Sequence, residues 1–130
     1  MANVNQELQQ VIKHDYPESQ HDIVVDVLGW YGDQDYQREH DRVRLAALKI
    51  ADGDLEQLKQ AVNTARRDYR DILAWAESPN EMDRMFGRNK MTRREATVAD
   101  QKQMQDWLVA HGLPSNKALE RTRLRRATQL

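Results

Sequence analysis

The chain has 130 residues, a formal net charge of −1 and no cysteine. That suits one domain and excludes a disulfide framework, a thiol nucleophile and any Cys-based metal site. Leu, Ile, Val and Phe together fill only 26 positions, which predicts a thin core that gains from burial against a second chain.

Val4, Leu8, Val11, Ile12 and Asp15 fall on one face of a short amphipathic helix over residues 3–15. Pro17 suits the first turn of a second helix, ending near Tyr31 with Gly32 just beyond. Its segment 23–31 has high β propensity, yet a lone strand has no partner among helical neighbours, so a helix is expected. Asp35 can cap a third helix over 36–52, which Gly53 ends. Tyr36, Val43, Ala47 and Ile50 form its stripe, while Leu45 and Leu48 lie on a different side and are candidates for contact with a second chain.

The clearest expected element is one amphipathic helix over 54–77. Asp54 is its N-cap with Gln57 three residues on, and Leu55, Leu58, Val62, Ala65, Tyr69, Ile72 and Ala76 alternate spacings of three and four. The single glycine between Asp52 and Asp54 predicts an αα-hairpin, 36–52 against 54–77. Ser78, Pro79 and Glu81 predict a capping box opening a short helix that carries Met82, Met85 and Phe86 and closes at Gly87. Thr92 and Glu95 predict a second box, opening a helix to His111 whose buried face holds Met104, Trp107, Leu108 and His111. The expectation is thus an all-α protein: a compact bundle of about five helices plus one short helix in a single domain 1–112, followed by a mobile basic tail 113–130.

Charge is unevenly spread. Residues 1–83 carry 9 basic and 17 acidic side chains, whereas 84–94 carry five basic and none acidic: Arg84, Arg88, Lys90, Arg93 and Arg94. Residues 95–112 return to −2, and 113–130 are +4. With Phe86 and a glycine inside it, the basic run is a candidate surface for nucleic acid or another polyanion. The acidic body argues the other way, for a loop that is solvated or folded back on it. Lys59, Arg66 and Arg70 share a flank of the long helix, with Asp22 and Asp26 as expected partners inside the chain. Trp30, Trp75 and Trp107 each lie near a helix end and are expected in the core, or as interface anchors where exposed.

Candidates for chemistry are weak. His-Asp doublets at 14–15, 21–22 and 40–41 are the residue types with which helical metal-dependent phosphohydrolases hold their ions, though a dipeptide is frequent by chance. Glu18 and His21 have the Glu-x-x-His spacing of di-iron bundles, but the parallel position before His40 has Gln37 instead of a carboxylate. The five glycines form no phosphate loop, the serine and threonine residues nearest helix starts serve better as caps than as nucleophiles, and Ser19 and Ser78 give serine catalysis little to draw on. No catalytic residue, metal or cofactor is expected.

Residues 42–55 and 68–77, including the run Leu45-Ala46-Ala47-Leu48 and the run Ile72-Leu73-Ala74-Trp75, resemble small bacterial all-helical hypothetical proteins. That resemblance implies a bacterial, cytoplasmic helical protein and no activity. Residues 1–6 lack the basic and apolar runs of a secretory signal, and 23–31 is too short to span a membrane, which fits a cytoplasmic protein without membrane contact. The leading expectation is a non-enzymatic interaction or scaffold module, associating with itself or another protein. Polyanion or nucleic-acid binding through 84–94 is the alternative, and a hydrolase built on the His-Asp pairs the remote one.

Overall fold

The computed structural model describes residues 4–32 and 39–114. Among them the chain is all helical, with seven α-helices, one 3₁₀ turn and no strand. No helix of the described residues is long and apolar enough to cross a membrane.

Helix α1, Gln6–Asp15, starts where the Asn5 side chain accepts from the Leu8 amide, and it buries Leu8, Val11 and Ile12. A 3₁₀ turn, Glu18–Gln20, leads into α2, His21–Leu28. The valine-rich segment is therefore a helix: Val24, Val27, Leu28 and then Tyr31 come round at helical spacing to one buried side.

Helix α3, His40–Ala51, is buried along Val43, Ala46, Ala47, Leu48 and Ala51. Arg44 lies among them because its guanidinium finds acceptors at the end of α2. Nε donates to the Leu28 carbonyl at 3.1 Å and Nη2 to the Tyr31 carbonyl at 2.7 Å. A cation placed on these end carbonyls satisfies groups that have no partner within the helix. The expected cap Asp35 and stripe residue Tyr36 lie outside the described residues.

Asp52 and Gly53 turn the chain through left-handed backbone, φ 48° and 82°. A Cβ on Gly53 would meet the Asp15 carbonyl oxygen at 2.8 Å, so the turn seats against the end of α1 only because a glycine is there. Helix α4, Leu55–Arg67, opens with the Asp54 side chain accepting from the Gln57 amide at 3.0 Å.

The helix expected over 54–77 is two helices. Asp68 leaves helical geometry at φ −154°, ψ 100°, and α5, Tyr69–Glu77, begins after it. Aspartate competes poorly for a helix interior but caps well. Here its side chain accepts from the Arg70 amide and from the Arg70 guanidinium, both at 3.1 Å. The apolar spacing runs on across the break, which is why periodicity alone does not reveal it. In place of a two-helix hairpin, α3 packs on both α4 and α5. Arg42 ties α3 to the end of α5 through Glu77, with Nε donating to Oε2 at 2.8 Å.

Helix α6, Pro79–Met85, departs from its expected capping box. Ser78 makes no side-chain cap. The buried carboxylate of Asp100 does so instead, accepting from the Asn80 and Glu81 amides at 2.8 and 3.0 Å and from the Asn80 side chain at 2.9 Å. Helix α7, Arg93–Ala110, does open with the Thr92/Glu95 box, both reciprocal bonds being 3.1 Å. It buries Ala96, Asp100 and Leu108, with Met104 and Trp107 partly buried on the core. Leu113 is buried too, its amide donating to the Leu108 carbonyl, so the core reaches just past residue 112. The tail from 115 lies outside the described residues.

Candidate functional site

The basic run emerges between α6 and α7 on a loop with its own internal bonds. The Arg88 amide donates to the Asp83 carbonyl at 2.7 Å, the Asn89 side chain to the Asn80 carbonyl at 3.0 Å, and the Met91 amide to the Asn89 side chain at 3.2 Å. Gly87, at φ +71°, supplies the left-handed turn after α6, with open space around its Cα.

The five candidate cations divide. Arg84 is committed to Glu81, donating through Nε at 2.8 Å and Nη2 at 2.6 Å. That pairing holds the Glu81 carboxyl below the usual carboxylate range. Arg88 lies 5.6 Å from the ring centroids of both Trp75 and Phe86, with Asp83 at 3.7 Å. Lys90, Arg93 and Arg94 are exposed and form no ion pair among the described residues.

The aromatic pair beneath Arg88 is near-parallel, with centroids 6.0 Å apart and planes at 7°. Trp75 comes from α5 and is half-buried, whereas Phe86 is 62% exposed. Met85 beside it is 67% exposed, and Met91 is also exposed. Trp75 and Phe86 thus form an apolar platform capped by Arg88, and the same segment, 85–94, exposes Met85 and Met91 together with Lys90, Arg93 and Arg94. Aromatic, methionine and arginine side chains are the types enriched at protein interfaces.

A second exposed apolar surface has the opposite charge. On α2 and the turn after it, Asp22, Ile23, Asp26 and Trp30 fall on one arc, facing away from Val24, Val27 and Leu28. Ile23 and Trp30 are exposed large hydrophobic residues, and Asp22 and Asp26 make no ion pair among the described residues. The expected partners of these aspartates lie elsewhere: Lys59 pairs with Glu56 at 3.2 Å and Arg70 with Asp68 at 3.1 Å.

The other expected sites fare unevenly. Leu48 is fully buried and Leu45 partly buried against the core of their own chain, so neither is left free as a surface anchor. This second apolar side of α3 is used because three elements, α1, α4 and α5, surround it. The tryptophans do not gather: Trp75 stacks on Phe86, Trp107 meets His111 with ring centroids 4.2 Å apart and planes tilted by 34°, and Trp30 is exposed. His21 is engaged with the Tyr16 carbonyl at 2.9 Å, and His40 meets the edge of Tyr31. The doublets are thus not gathered into one centre; His14 and Asp15 meet His111 instead.

No protein family, curated protein or solved structure matches this chain.

Proposed function

We propose that the protein is a non-enzymatic interaction module that associates with copies of itself head to tail. The platform of Trp75 and Phe86, with Met85 and Met91 of the same segment, takes the Asp22–Ile23–Asp26–Trp30 stripe of the next copy. The carrying observation is the exposure of Phe86 and Met85 beside an arginine-capped aromatic stack, in a segment whose Lys90, Arg93 and Arg94 have no ion pair among the described residues. Exposed apolar groups ringed by one charge sign fit a partner with apolar anchors ringed by the other. The stripe on α2 has that composition. Platform against platform would set four cations against four, a repulsion that disfavours the symmetric dimer.

Because the two surfaces differ, a copy that loses one keeps the other, and this makes the test sharp. In sedimentation at tens of micromolar, the unaltered chain is expected to associate, more weakly at high salt. Phe86→Ala alone and the pair Asp22→Lys with Asp26→Lys alone are each expected to be monomeric. Mixed together they are expected to form a dimer that grows no further, joined by the one intact contact. A strictly monomeric unaltered chain sinks the proposal.

Lys90, Arg93 and Arg94, exposed without an ion pair among the described residues and close in sequence to the exposed Phe86, favour one other reading: binding of a nucleic-acid backbone with a base stacked on Phe86. It requires a salt-dependent shift with RNA or DNA that disappears when Arg88, Lys90, Arg93 and Arg94 are neutralised. Absence of binding at low salt removes it.

A further inference from the structure

His14 and Asp15 end α1, and His111 closes α7, 96 positions from Asp15. Asp15 Oδ1 lies 2.7 Å from His14 Nδ1 and 2.9 Å from His111 Nε2. One ligand atom from each residue can be chosen so that all three lie within 4.8 Å of one another. The side chains of Asp15 and His111 are 8% and 6% exposed, and that of His14 is 52% exposed.

The hydrogens around His111 do not balance without a cation. Its Nδ1 is 2.8 Å from the Trp107 carbonyl oxygen. A carbonyl only accepts, so Nδ1 carries the hydrogen, and in a neutral ring Nε2 is then the nitrogen with the free lone pair. Nε2 faces a carboxylate oxygen, which also accepts. Attraction between them requires a proton or a metal ion in the gap. The other carboxylate oxygen sharpens the point, since Asp15 Oδ2 is buried with no hydrogen-bond partner among the described residues. A buried carboxylate oxygen left so is costly.

The surroundings favour positive charge. Helices α1 and α7 both end here, and a helix C-terminus carries the negative end of its dipole. Asp52 and Asp54 flank Gly53, whose turn seats against the Asp15 carbonyl and brings further negative charge to this end of the fold.

We propose that His14, Asp15 and His111 form a binding site for a divalent first-row transition metal, Zn²⁺ in the first instance, that ties the end of α7 to the end of α1. Two imidazoles and one carboxylate suit zinc better than magnesium or calcium, which call for an all-oxygen shell. Bonds of about 2.0–2.2 Å would set the donor atoms about 3.3 Å apart. The donors now at 2.7 and 2.9 Å need to separate by about half an ångström: the half-exposed His14 ring is free to move for the first, and the second needs a small shift between the joined ends of α1 and α7. The Trp107 carbonyl would orient the His111 ring, as outer hydrogen bonds commonly do for metal-bound histidines. Three protein ligands beside solvent leave a position for water, the open arrangement rather than a closed four-ligand one. Nothing here depends on self-association: the cluster shares no residue with either proposed contact surface.

The test uses the full-length chain, free of any tag and washed with chelator. It is expected to take up one equivalent of Co²⁺ with the visible absorption of a low-coordinate nitrogen and oxygen site, which Zn²⁺ displaces. Zn²⁺ is also expected to raise Tm, because the ion binds the folded chain and not a preformed unfolded site. His14→Ala removes a half-exposed ligand, so its Tm in chelator should match the unaltered chain. It should lose metal affinity by an order of magnitude or more, together with the Zn²⁺-induced rise. His14→Gln should behave alike. An equal Zn²⁺ effect on the unaltered chain and on both variants would overturn the proposal. So would the absence of both the Co²⁺ spectrum and the Tm rise in the unaltered chain, leaving a proton-bridged cluster.

Discussion

The two halves of the molecule spend their apolar residues differently. Around α3, with α1, α4 and α5 against it, aliphatic side chains are buried almost without remainder. Two of the charges that lie among them are matched: Arg44 on the carbonyls ending α2, Arg42 on Glu77. In the segment from α6 to α7 the larger apolar groups Met85, Phe86, Met91 and Val98 are on the surface, and three of the cations have no ion pair among the described residues. A protein with few aliphatic residues holds its fold in one region and presents chemistry in the other. That contrast directs the functional reading to the loop.

Truncation of one large apolar residue in each half is the strongest way to break the contrast. Leu48→Ala removes a fully buried side chain and is expected to cost about 2–5 kcal/mol in denaturant unfolding. Phe86→Ala, at the exposed platform, is expected to stay within about 1 kcal/mol of the unaltered chain, while abolishing association. Comparable losses at the two positions would show that the platform belongs to the core and would remove the contrast.

Next in size is the start of α6. Asp100→Ala takes away the carboxylate that caps two backbone amides, an expected cost of about 1–2 kcal/mol. Hydrogen exchange should place the loss in α6 and the loop after it, because Asn89 of that loop is itself bonded to Asn80. Ser78→Ala should change almost nothing, since Ser78 makes no side-chain cap. The reverse ranking of these two variants would contradict the observed capping.

The smallest expected effect is on acidification. Hydrogen bonds from the Arg70 side chain to Asp68, from the Arg84 side chain to Glu81 and from the Thr92 amide to Glu95 hold these three carboxyls below their ordinary values of 3.8, 4.5 and 4.5. A carboxyl depressed on folding stabilises the fold fully above its ordinary value, and the benefit is lost as pH falls through the folded-state value. Below about pH 4 the starts of α5 and α7 and the body of α6 should fray before α3 does. Amide exchange measured down the acid limb checks the order, and early loss in α3 would reverse it. Asp68 and Glu95 are exposed and Glu81 is partly so, which keeps the effect modest.

Several features of the fold are legible in the residues alone because they depend on near neighbours. The helical spacing of Leu8, Val11 and Ile12, the Asp54 cap on Gln57 and the Thr92/Glu95 box each act within four positions. So does the helix through Val24 and Val27, once the absence of a strand partner outweighs β propensity. Of the candidate site, the cations and Phe86 are visible in the sequence. That Arg84 is spent on Glu81, and that Trp75 lies under Arg88, is not.

What the sequence determined by itself is the helical class, most of the helix starts and the concentration of positive charge after residue 83, since these follow from composition and spacings of three and four. What only the tertiary structure decided are the contacts made across long stretches of chain. Asp100 replaces Ser78 as the cap of α6 from 20 residues away. The apolar side carrying Leu48 is consumed by α3's neighbours in the same chain, and His111 joins His14 and Asp15 across 96 positions. The break at Asp68 belongs with them. A capping aspartate and an uninterrupted apolar stripe are both present in the sequence there. Which one prevails depends on how α4 and α5 pack against α3, a balance of burial against one turn of helical hydrogen bonds that local sequence does not contain.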